Sequence, residues 1–112
     1  MNLRRLLMAA ALLVLADCAA PSAQEIQAEF DAYVEGAKQC TADSECTVAS
    51  AGCPLGCWAA VRADRKADVE AKARELIKDY ERGGESCAYG GCAVPLVISC
   101  TSKRCSVEFN PR

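Results

Sequence analysis

Histidine is missing from all 112 residues of this chain. Its absence removes the commonest general base, the side chain that titrates near neutral pH and the usual nitrogen ligand for zinc or copper. A nucleophile–histidine–acid set cannot be assembled either. Basic excess is lacking as well: the formal net charge is −2. Nucleic acid is therefore not an expected partner, because phosphate binding draws on a cationic surface that releases counterions. Aromatic residues make up only 5% of the chain. There is no CxxC, the usual spacing of a redox-active pair. Gly83-Gly84 and Gly90-Gly91 break loops without a phosphate-binding pattern around them. No cofactor and no metal is expected.

Cysteine is abundant: nine of 112 residues, near the density of a disulfide scaffold in a short exported chain. Residues 1–17 read as the signal for that export. Arg4 and Arg5 form the positive start, and Leu6 to Ala16 are uncharged and apolar. A run of that length is too short to span a bilayer, so removal is favoured over anchoring. Leu15-Ala16-Asp17-Cys18 looks like the bacterial lipobox, which makes Cys18 a candidate lipid attachment; Asp17 departs from its small-residue position. The rival is ordinary cleavage near residue 22, where Ala20 and Ser22 are small enough to permit it. Either way Cys18 leaves the pairing pool and eight cysteines remain. Loss of Arg4, Arg5 and Asp17 makes the mature chain more acidic, with no basic patch for anionic lipid. An oxidising compartment follows, periplasmic, extracellular or at a membrane surface as a lipoprotein, and there thiols pair. Membrane contact is expected only if Cys18 is lipidated.

After a short linker, 18–23, the remaining residues 24–112 read as one domain. Ser22 and Glu25 fit a capping box. Ile26, Phe30, Tyr33, Val34 and Ala37 follow on one helical stripe that stops near Cys40. Thr47–Ser50 predicts a strand, and Trp58–Val61 a second one. Asp64 is a suitable N-cap for a helix running to Arg82, with Val69, Ala73, Leu76, Ile77 and Tyr80 as its stripe and Gly83-Gly84 as its stop. Asp68 with Lys72 and Glu70 with Arg74 have the spacing of stabilising i,i+4 pairs. A hairpin closes the chain: Leu96, Ile98 and Cys100 alternate with polar positions, as do Cys105, Val107 and Phe109. A four-residue loop, Thr101 to Arg104, sets Cys100 against Cys105, Ile98 against Val107 and Leu96 against Phe109. The face they share is the one the helices are expected to cover. The fold class is thus α+β, two amphipathic helices packed on a small antiparallel sheet and stapled by four disulfides.

Four cysteines follow each helix, Cys40, Cys46, Cys53 and Cys57 after the first and Cys87, Cys92, Cys100 and Cys105 after the second. The arrangement suggests a diverged tandem of helix-plus-strands units. Eight cysteines allow 105 pairings. The second helix spans about 28 Å, so Cys87 is not expected to reach Cys57; Cys92 or a hairpin cysteine is easier.

Two loops carry candidate chemistry. Ser102-Lys103-Arg104, or Pro54-Leu55-Gly56, would present a disulfide-fixed loop to a protease, with Lys103 or Arg104 entering a trypsin-like pocket. Cys53 and Cys57 would be the pair of a thiol–disulfide oxidoreductase. No catalytic residue is assigned to the expected function, a non-catalytic exported envelope or periplasmic module, structural or partner-binding. The partner would be a protein of the envelope. The cysteine-bounded segments 40–46, 53–57 and 100–105 resemble small cysteine-rich proteins of the bacterial envelope. That resemblance implies an architecture and carries no activity.

Overall fold

Ser22 opens the first helix, α1 (Ala23–Glu35), as its capping box predicts: its Oγ accepts the Glu25 N–H at 3.1 Å, and Glu25 returns a carboxylate oxygen to the Ser22 N–H. Such a cap is worth about 1 kcal/mol. Ile26, Phe30 and Val34 turn inward, and Ala37, just past the helix, is fully buried. α1 ends at Gly36, before Cys40. The computed structural model describes residues 19–109, apart from the side chain of Leu96. The signal segment and Cys18 therefore lie outside the described residues.

Strands β1 (Cys46–Gly52) and β2 (Gly56–Arg62) form an antiparallel hairpin that pairs Cys46 with Arg62 and Gly52 with Gly56. Gly52 and Gly56 flank its turn at φ 116° and 113°, which other residues rarely adopt. A β-carbon on Gly52 would also meet Ile77 at 3.2 Å. The second helix, α2 (Lys66–Glu81), starts after a single 3-10 turn, Ala63–Arg65. Asp64 does not cap it. That carboxylate turns back to the Arg62 guanidinium instead, and α2 begins at Arg65 without a side-chain cap. The expected i,i+4 pairs are replaced too. Asp68 takes Arg65, Lys72 reaches across to Glu29 of α1 at 3.0 Å, and Glu70 accepts the Ser50 N–H at 2.9 Å on β1. Contacts to α1 and β1 and i,i+3 pairs such as Arg65–Asp68 and Lys72–Glu75 take the place of the i,i+4 pairs.

The last hairpin, β3 (Pro95–Thr101) with β4 (Arg104–Phe109), keeps Cys100 opposite Cys105 and Ile98 opposite Val107. Two details differ from expectation. An irregularity between Pro95 and Val97 sets Phe109 against Pro95, and the turn is the two residues Ser102 and Lys103, both left-handed (φ 53° and 61°). Two left-handed residues suit the twist of a hairpin that short.

The strands form two two-stranded sheets. The first hairpin is the middle layer. On one side Ala49, Leu55 and Val61 join Ile26, Phe30, Val69, Ala73 and Leu76 of the helices in the main core. On the other, Ala60 meets Cys40 and Cys105, with Cys100 and Val107 packed alongside. So the helices cover the first hairpin and not the second, contrary to the expected arrangement. β-strand alternation gives the first hairpin two apolar faces, and the longer one takes the helices.

Four disulfides join Cys40–Cys100, Cys46–Cys105, Cys53–Cys87 and Cys57–Cys92, with Cα separations of 5.9, 5.5, 5.5 and 5.8 Å. Neither Cys92 nor the second hairpin takes Cys87, as the length of α2 led us to expect. β2 carries the chain about 23 Å from the Cys53–Cys57 turn, and α2 returns it about 24 Å. The two displacements cancel, so Cys87 lands at that turn. Each bridge links the first cysteine block to the second, offset by two places, and the pattern is unchanged when the halves are exchanged. The packing does not share that symmetry, since both helices sit on one hairpin.

Candidate functional site

The sulfurs come first, because they were the most reactive candidates. Cys53 and Cys57 take different partners, Cys87 and Cys92. They are not a dithiol–disulfide couple, and the oxidoreductase arrangement drawn from the sequence is corrected on that ground. The Cys40, Cys46 and Cys105 sulfurs lie within 4.8 Å of one another. All three are in bridges, so none offers a thiolate to a metal.

The Ser102-Lys103-Arg104 loop is docked on its own chain. The Lys103 carbonyl accepts the Cys40 N–H at 3.1 Å, and the Cys105 N–H donates to the Lys38 carbonyl at 2.8 Å. The Arg104 guanidinium binds the Glu35 carboxylate. A left-handed turn with one cation engaged differs from the extended backbone that inserts into a protease cleft. At the other candidate loop, Leu55 is buried in the main core. Its side chain faces inward and offers a partner nothing.

Acidic groups are arranged for structure. Glu45 accepts from the Thr41 N–H at 2.8 Å, the Thr41 hydroxyl at 2.6 Å and the Ala42 N–H at 2.8 Å. These donors hold its carboxyl below the usual range, the Thr41 hydroxyl foremost. Asp64 is lowered mainly by its hydrogen bond from Arg62. Both stay ionised at neutral pH, so neither is a proton donor there. Among the described residues no polar or charged residue is buried. A shallow depression of about 240 Å³ lies between Glu45, Arg62, Ala63 and Asp64, its walls carrying two carboxylates and one guanidinium.

A different surface stands out. Two stretches of sixteen residues, 46–61 and 86–101, carry no Asp, Glu, Lys or Arg, in a chain that is 25% charged. The first is the middle layer, and only Ser50 in it is exposed. The second has no such cover: residues 86–94, Val97 and Thr101 are all exposed. Tyr89, Val94 and Val97 are 43%, 73% and 51% exposed, and Phe109 follows at 40%.

This surface is held in place. Cys53–Cys87 and Cys57–Cys92 tie it to the first hairpin at two points. The Trp58 indole N–H donates to the Ala93 carbonyl at 2.7 Å, and the Tyr89 hydroxyl accepts the Gly56 N–H at 3.0 Å. Between Trp58, Ala93, Phe109 and Cys57 lies an open apolar depression of about 270 Å³. Sequence reading missed the surface. Its signal, a charge-free run, reads as a loop ahead of a hairpin strand whose apolar face the helices are expected to cover. No helix among the described residues is long and apolar enough to cross a membrane. Compared with family models, curated proteins and solved structures, the chain matches none.

Proposed function

We propose that this protein is a non-catalytic, exported binding module of the bacterial envelope, acting through the disulfide-fixed, charge-free and largely exposed stretch at residues 86–101. One observation carries the reading: a run of sixteen residues without a charge, of which residues 86–94, Val97 and Thr101 are exposed. Exposed apolar surface of this kind marks contact sites. Two bridges and two side-chain hydrogen bonds fix it beforehand, which limits the entropy lost on binding. The four disulfides and the signal-like N-terminus support an oxidising destination. The same cysteine pattern supports kinship with small envelope proteins.

The test uses a photo-crosslinking residue placed at position 97, or at position 66 on the exposed start of α2, in the exported protein. Position 97 is expected to give adducts, with protein or with lipid, that position 66 lacks. Equal labelling at both positions would overturn the reading.

A further inference from the structure

Two of the four bridges lie side by side. Cys40–Cys100 and Cys46–Cys105 meet in the second apolar cluster, and the Cys40 sulfur lies within 4.8 Å of both sulfurs of the neighbouring bridge. We propose that these four cysteines form one thiol–disulfide exchange centre, in which a small thiol converts the crosswise pairing into a local one, Cys40–Cys46 with Cys100–Cys105.

The strand register brings the local pairing within reach. Cys100 stands directly opposite Cys105. Their N–H groups both point out of the hairpin. That of Cys100 donates to Asp43 Oδ1 at 2.7 Å, and that of Cys105 to the Lys38 carbonyl at 2.8 Å. Theirs is therefore a non-hydrogen-bonded pair, the closest kind in an antiparallel ladder, with Cα atoms about 4.5 Å apart. A disulfide spans such a separation. Cys40 and Cys46 are separated by only five residues, and their sulfurs already belong to the 4.8 Å cluster. Local bridges also close far shorter loops than the crosswise separations of 60 and 59 residues, so less chain entropy opposes them.

Exchange proceeds by attack of a thiolate on a disulfide sulfur. Cys40 and Cys105 are buried, whereas Cys46 and Cys100 are half-buried, so the thiol enters at Cys100. Its attack on Cys100 Sγ forms a mixed disulfide and expels Cys40 as a thiolate. Cys40 attacks Cys46 Sγ; the Cys40–Cys46 bond forms as Cys46–Cys105 breaks, and Cys105 leaves as a thiolate. Cys105 attacks Cys100 Sγ across the strands, closes Cys100–Cys105 and returns the small thiolate. Each step makes one S–S bond and breaks one, so nothing is oxidised or reduced overall. In the crosswise pairing the last hairpin is tied covalently to residues 40–46. In the local pairing it is held there by packing, hydrogen bonds and the Arg104–Glu35 ion pair, and can be released.

The experiment removes one cysteine so that exchange runs without added thiol. Cys40→Ser leaves a free thiol on Cys100 beside Cys46–Cys105, and exchange passes it to Cys46. Cys105→Ser leaves one on Cys46 beside Cys40–Cys100, and exchange passes it to Cys100. Each variant is held at about pH 8, near the ordinary thiol value, trapped with a maleimide and mapped by mass spectrometry. Expected is a majority of label on Cys46 in the first and on Cys100 in the second, with Cys53, Cys57, Cys87 and Cys92 unlabelled. Label remaining on Cys100 in the first variant or on Cys46 in the second overturns the proposal. Label spread over the other four cysteines also overturns it, since an unfolded chain exchanges in that way. Should circular dichroism show that a variant does not fold, the unsubstituted protein treated with cysteamine decides. Peptides joined Cys40–Cys46 and Cys100–Cys105 at unchanged intact mass support the exchange, and crosswise peptides alone overturn it.

Discussion

Residues 46–61 and 86–101 are alike in composition and opposite in circumstance. Both are charge-free and both contain cysteines that bridge to distant segments. The first is flanked by helices on one face and by the second hairpin on the other. The second is fastened by its sulfurs and left largely uncovered, with residues 86–94, Val97 and Thr101 exposed. An absence of charge reports that a segment leaves water somewhere. Whether its own chain or another body covers it is a question of layers, which composition does not answer.

The sharpest test of that contrast introduces charge into each stretch. Val61→Asp places an unpaired carboxylate where no solvent reaches. Destabilisation on the order of 5 kcal/mol is expected, enough to unfold the domain in a urea titration. Val94→Asp, at 73% exposure, should stay within about 0.5 kcal/mol. A large loss at Val94 would show that the second stretch is covered after all.

Bridge removal comes next. Loops of about 60 and about 35 residues predict similar chain-entropy terms, each about 4 kcal/mol. Loop length therefore does not separate the bridges; burial does. Cys46→Ala with Cys105→Ala empties space around a sulfur that is 2% exposed. It should cost more than Cys57→Ser with Cys92→Ser, by about 1 kcal/mol or more in chemical denaturation. Graded reduction extends the comparison. Cys87 and Cys92 are exposed while Cys40 and Cys105 are buried. Alkylation and mass mapping should find Cys53, Cys57, Cys87 and Cys92 labelled at lower reductant, since access governs exchange.

The smallest effect is expected at Glu45, outside both stretches. Its folded carboxyl titrates below the ordinary value of 4.5. The stability it contributes is complete above that value and fades as pH falls through the folded value. Glu45→Gln should flatten this acid dependence slightly in thermal melts between pH 5 and pH 3 (a range set by the usual carboxylate values). An unchanged profile would remove Glu45 from the acid response.

Much of this architecture was legible from local pattern. The Ser22 box, both apolar stripes and the pairing of Cys100 with Cys105 and Ile98 with Val107 each depend on residues close in sequence, where geometry is nearly determined. What escaped was set at longer range. Asp64 had the chemistry of a cap but found Arg62 first. Lys72 preferred Glu29 on the neighbouring helix to the partner on its own. Cys87 was judged by the length of α2 alone, without the opposite travel of β2 that cancels it. The uncovered surface could not be distinguished from a loop until the helices were seen on the other hairpin.

The crosswise bridges have a consequence for survival under proteolysis. Cys40, Cys46, Cys53 and Cys57 all precede α2, and all their partners follow it. A peptidase that nicks the backbone anywhere between residues 58 and 86 makes two fragments that four covalent ties still hold together. Such a clipped molecule keeps its mass but for one added water, and it comes apart into two peptides only when a reductant is supplied.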